Sequence, residues 1–181
     1  MKCGLIGGIV LFLWSAISWT IFPWQKAQMG SFADEKEVQS TIMDNVKGSG
    51  LYVLPNLNAY ANKSNEMADA KARMSTGPFV VAAVSVEGRN PNMAGSLLAS
   101  LIVKIVAACL VTWLLLQVPN RNYNQSVKFV TVAGVAIALL AALPNAIWFG
   151  FPGPFVMGSI FEMIVGWFFA GLAIAKCAKY K

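Results

Sequence analysis

The chain has 181 residues, of which 57% are apolar and only 12% charged, and its mean hydropathy is +0.60. Soluble domains run nearer to half apolar and a quarter charged, so this balance points to a membrane protein built as one compact unit. The formal charge of +6 does not mark a nucleic-acid binder, because the surplus flanks apolar stretches, and the lack of any histidine excludes His-based general bases and nearly all His-containing zinc or haem sites.

A bilayer core of ~30 Å takes about 20 mostly apolar residues in a helix. The first such stretch, GLIGGIVLFLWSAISWTIFPW, follows Met1-Lys2 and predicts a span over 1–24. Its apolar core is too long for a secretory signal and no A-x-A-like site follows it, so it reads as an uncleaved anchor. Cys3 precedes the apolar stretch and does not fit a lipoprotein site.

Residues 25–93 hold seven basic and seven acidic residues and are too patterned to be a tether. SFADEKEVQSTIMDNVKGSG predicts a helix, with Asp34 and Glu37 as a capping box, Val38, Ile42 and Val46 at four-residue spacing, and Gly48 and Gly50 as stops. LYVL at 51–54 predicts a short strand ended by Pro55-Asn56. A second helix fits 64–75, with Met67, Lys71 and Met74 on one face and Asp69/Arg73 paired at i,i+4. FVVAAVSV at 79–86 predicts a strand apolar on both faces, which needs cover. The order helix, strand, helix, strand makes a small α+β cap, marginal alone and expected to lean on the outer ends of the spans.

Three further spans follow at 94–117, 127–149 and 155–175, separated by the VPNRNYNQS loop (118–126) and the GFPGP turn (150–154) and ending in a short tail, 176–181. Four spans place both termini on one side. That side then carries Lys2, Arg121, Lys128, Lys176, Lys179 and Lys181 with no acid, so it is read as cytoplasmic and 25–93 as external. Trp19, Phe22, Trp24, Trp148 and Phe151 fall at the outer interface, Trp113, Tyr123 and Tyr180 nearer the inner one. The fold class is a four-helix transmembrane bundle, mainly α, with a small extracytoplasmic α+β cap, in a bacterial inner membrane. Small residues recur at four-residue spacing in Gly4/Gly8, Gly95/Ala99, Gly134/Ala138/Ala142 and Gly166/Ala170, which suits close helix packing in lipid.

Little carries chemistry. No P-loop, dinucleotide fingerprint, EF-hand loop, HExxH or CxxC occurs, and no cofactor or metal is expected. Asp34, Glu35 and Glu37 complement a helix dipole more readily than they bind a cation. Asn62-Lys63-Ser64 matches a glycosylation sequon, which matters only on a eukaryotic secretory route. Cys109 reads as a small packed hydrophobe, and Cys3 and Cys177 sit near membrane ends.

Lys104 and Glu162 are the ionisable residues inside spans, each roughly 12–14 Å below the outer boundary at 1.5 Å per residue. A charge near the bilayer centre costs ~2.5–3.5 kcal/mol on insertion scales, and pairing the two lowers that cost. Pro144 frees a carbonyl four residues back and kinks its helix, while Asn145, Ser15 and Ser18 add polarity in the same outer half. These residues form the expected intramembrane polar site. Three function classes compete. A non-catalytic accessory, assembly or sensing subunit, whose cap meets a protein partner or a second copy, accounts for most features. A small oligomeric transporter or channel would use the Lys104/Glu162 layer. A membrane-embedded enzyme would need a nucleophile and base that only Lys104, Glu162 or the outer carboxylates can supply.

Overall fold

The structure, a computed structural model, describes residues 1–23 and 26–178. Trp24, Gln25, Lys179, Tyr180 and Lys181, invoked above for the interfaces, the domain boundary and the basic tail, lie outside the described residues. The chain divides into two units, one of Met1–Met29 with the residues from Asn92 onward, the other of Gly30–Pro91.

The first unit holds four helices long and apolar enough to cross a membrane: α1 (Lys2–Ile21), α4 (Ala94–Leu116), α5 (Tyr123–Phe149) and α6 (Gly153–Cys177). Their ends follow local chemistry. At the start of α5 the Asn122 side chain accepts from the Gln125 amide at 2.9 Å, and Gln125 returns the bond to the Asn122 amide at 2.9 Å. This reciprocal cap starts the helix at Tyr123, earlier than the apolar stretch at 127 implies. Gly150, at φ 67°, closes α5 in the left-handed conformation that glycine adopts without strain. Pro144 stands inside α5, which continues through it to Phe149.

Helix α1 packs on α4 and α6, α6 packs on α1 and α5, and α4 meets α5 only sparsely. Glycine sets the closest seam. A methyl group on Gly4 would lie 2.6 Å from the Cys109 Cα, and one on Gly8 would collide with the Ile105 backbone. On the other side of the bundle Gly134 receives the Trp167 side chain, with Ala138 and Ala142 buried behind it. The Gly95/Ala99 pair does not take part: nothing lies within 4 Å of a methyl placed on Gly95. Leu11, Ala108, Val111, Leu115, Val130, Trp167, Ala170 and Ile174 form the main core, drawn from all four helices. Also on α4, the Thr112 hydroxyl is buried without a hydrogen-bond partner. A disulfide between Cys3 and Cys177, with Cα atoms 5.3 Å apart, joins the first turn of α1 to the last of α6. Cys109 is free.

The second unit runs α2 (Glu35–Asn45), β1 (Gly50–Leu54), α3 (Ser64–Thr76) and β2 (Val80–Val84), in the order expected. The Asp34 carboxylate caps α2 by accepting from the Glu37 amide at 2.9 Å, and Val38, Ile42 and Val46 form its half-buried stripe. β1 and β2 pair antiparallel, with Tyr52 opposite Ala82. The 79–86 segment is not covered on both faces, since Val80 and Ala83 remain exposed. A single strand pair leaves one edge of each strand unpaired and has too little around it to enclose both faces. In α3 the buried stripe passes through Met67 and Ala70, while Lys71 and Met74, expected on that face, stay exposed. Arg73 Nε pairs with Asp69 Oδ2 at 3.0 Å as the spacing implied, and its guanidinium lies 6.0 Å from the Tyr60 ring centre. The hydrogen bond with Tyr60, then the charge of Asp69, raise the Arg73 pKa above its ordinary value.

Candidate functional site: a polar cavity between the long apolar helices

Helix α1 turns Trp14, Ser15 and Trp19 toward α4 and α6. Trp14 Nε1 donates to the backbone carbonyl of Glu162 at 2.9 Å, tying α1 to α6 at that level. The contact needs a glycine beneath the indole, because a methyl on Gly166 would stand 2.9 Å from Trp14 Cδ1. Phe169 then closes edge-on against Trp14, with ring centres 5.2 Å apart.

Above this anchor the helices leave a cavity of about 370 Å³. Ser15, Lys104 and Glu162 supply its polar groups, and Trp14, Trp19 and Trp167 much of its wall. A second hollow of about 340 Å³ adjoins it, sharing Ser15, Trp19 and Lys104 and adding Ser96 and Ser100 from the start of α4. Lys104 thus stands between the two. Its ammonium donates to the Ser100 hydroxyl at 2.8 Å, one turn back along the same helix.

The expected Lys104–Glu162 ion pair is not formed: among the described residues the ion pairs are Lys63–Glu66 and Arg73–Asp69. The two charges line one cavity without contact, and the Lys104 ammonium donates instead to an oxygen on its own helix face. Ser15 joins them in the lining. Ser18 is fully buried and Asn145 lies away from the cavity, its Nδ2 donating to the Ala141 carbonyl at 3.1 Å. That carbonyl is one residue beyond Leu140, whose own oxygen Pro144 leaves without an amide donor. Ser100 and the three tryptophans are missing from the sequence-based site. Ser100 was findable, since i,i+4 neighbours share a helix face.

Chemically the cavity offers a cation, a carboxylate, hydroxyls and aromatic faces. Among the described residues no group of three or more Cys, Asp or Glu is gathered to hold a metal. No protein-family model, curated protein or solved structure matches the chain.

Proposed function

We propose that this chain is a non-catalytic integral membrane protein, an accessory, assembly or sensing subunit of a bacterial inner membrane. Both termini lie on the cytoplasmic side, and residues 25–93 form an external domain that meets a protein partner or a second copy of the chain. The observation that carries this reading is the incompleteness of the 30–91 unit. Within it Pro55 and Ala70 alone are buried. Between α2 and the sheet runs an apolar groove of about 430 Å³, walled by Ile42 and Val46 on one side and Tyr52, Leu54, Val80 and Val84 on the other. A domain with so little core and an apolar groove is suited to completion by another chain.

The test is site-specific photocrosslinking in intact membranes. A crosslinking side chain at Ile42 should give a discrete heavier adduct, and one at the exposed Lys36 on α2 should not. Equal adducts from both positions, or none from Ile42, would remove the support for a docking groove.

The cavity between the spans favours a second reading, a small oligomeric transporter or channel that uses the Lys104/Glu162 layer. It requires ion or proton flux across proteoliposomes that disappears in a folded Lys104→Met/Glu162→Gln variant. Flux equal to that of empty liposomes excludes it.

A further inference from the structure

The cavity carries two opposite charges that attract each other without forming a contact ion pair. Lys104 leans toward Ser100 at 2.8 Å, on the side of the second hollow, while Glu162 faces the first. The joined hollows therefore present a carboxylate in the first and, where the two adjoin, an ammonium with serine hydroxyls beyond it. In a low-dielectric layer neither charge is comfortable alone, and a ligand of one sign satisfies only one of them. A ligand that is itself neutral overall but carries both signs satisfies both without bringing net charge into the membrane.

We propose that these joined hollows bind a zwitterion, a small amine that also bears a phosphate or carboxylate. The acidic group sits at Lys104 with the Ser96 and Ser100 hydroxyls as further donors. The ammonium group sits at Glu162 beside Ser15. Trp14, Trp19 and Trp167 line the hollow that holds Glu162, and aromatic rings attract a cation at close range. The cavity volume, about 370 Å³, falls within the range of small-ligand sites, and a mostly apolar wall with a few polar groups is their usual make-up. This chemistry is met equally by the ethanolamine headgroup of a phospholipid entering from the bilayer and by a free zwitterion in solution. The proposal concerns occupancy and stands apart from both the docking groove and transport, so it can fail while either of those survives.

The experiment measures thermal stability of the purified full chain, since a ligand that binds only the folded state raises the melting temperature with concentration. The lipid arm compares nanodiscs of phosphatidylethanolamine with nanodiscs of phosphatidylglycerol. The soluble arm titrates glycerophosphoethanolamine, with glycerophosphate and ethanolamine as single-charge controls. Stabilisation by phosphatidylethanolamine alone supports a lipid headgroup as the source, and saturable stabilisation by glycerophosphoethanolamine supports a free zwitterion. In either case Lys104→Met and Glu162→Gln should each weaken apparent affinity by at least roughly tenfold, which is 1.4 kcal/mol. Where a single variant does not fold, Lys104→Met/Glu162→Gln, which strands no charge, should fold and lose the response. No response in either arm, equal responses to the single-charge controls, or an undiminished response in the double variant would overturn the proposal.

Discussion

Lys104 donates to Ser100 at 2.8 Å while Glu162, in the same cavity, is left without it. The relationship is local, between residues one turn apart on α4, and it separates two charges that share a layer. Hydrogen bonds to charged groups contribute about 1.5–3 kcal/mol, so Ser100→Ala should lower stability by that order. The effect should vanish in a Lys104→Met background and persist beside Glu162→Gln. A double-mutant cycle on unfolding free energy checks this, and strong coupling of Ser100 to Glu162 instead would mean that the ammonium bridges them.

Gly134 and Gly95 should behave oppositely when replaced by alanine. Gly134 receives Trp167, so its Ala variant overpacks the α5–α6 seam and should cost about 1–3 kcal/mol. Gly95 faces open space, and its Ala variant should be neutral or gain up to about 1 kcal/mol from helix propensity. Melting temperatures of the two purified variants distinguish them.

Thr112→Val removes a buried hydroxyl that has no partner while keeping the side chain's shape. Relieving that unmet group should raise stability by about 1 kcal/mol or more. A lowered melting temperature would show that the hydroxyl has a partner in the membrane, such as water or another chain.

The four long apolar helices are legible in the sequence because each is a run of some 20 or more mostly apolar residues, the length that a helix needs to cross lipid. Their helical extents were less so. The cap on Tyr123 rests on Asn122 and Gln125, polar residues that a hydropathy window reads as loop. In the 30–91 unit the stripe of Val38, Ile42 and Val46 is plain from spacing, yet FVVAAVSV overstates burial. Its composition records what the strand can bury, and the two-stranded sheet does not supply the cover. The Cys3–Cys177 bridge joins residues 174 apart in sequence, where no local pattern points to a partner. The even number of spans, which brings both chain ends to one side, was the available clue. Lys104 and Glu162 were placed in one layer by counting residues, but counting does not reveal that Ser100 is nearer.

The bridge itself has a measurable consequence. Removing a disulfide from a small domain typically costs about 2–5 kcal/mol, and here it fastens α1 to α6, the helices that carry Trp14 and Glu162. Cys3→Ser should lower the melting temperature of the oxidised protein to that of the parent under reductant, and Cys109→Ser should leave the response to reductant in place. A parent whose melting temperature ignores reductant would show that the bridge adds nothing to the bundle. Disulfides persist in oxidising compartments and are rare in the cytosol. If the basic end faces the cytoplasm, thiols trapped in living cells should be found free at Cys3 and Cys177, the bridge closing on extraction.

Orientation is therefore the most direct test of the proposed four-span protein with an external domain. Reporter fusions active only outside the cytoplasm, placed after Asn62, Tyr123 and Lys181, read it in one experiment. Activity at Asn62 with silence at Tyr123 and Lys181 is the expected pattern. Activity at Tyr123 or Lys181, or silence at Asn62, would contradict it.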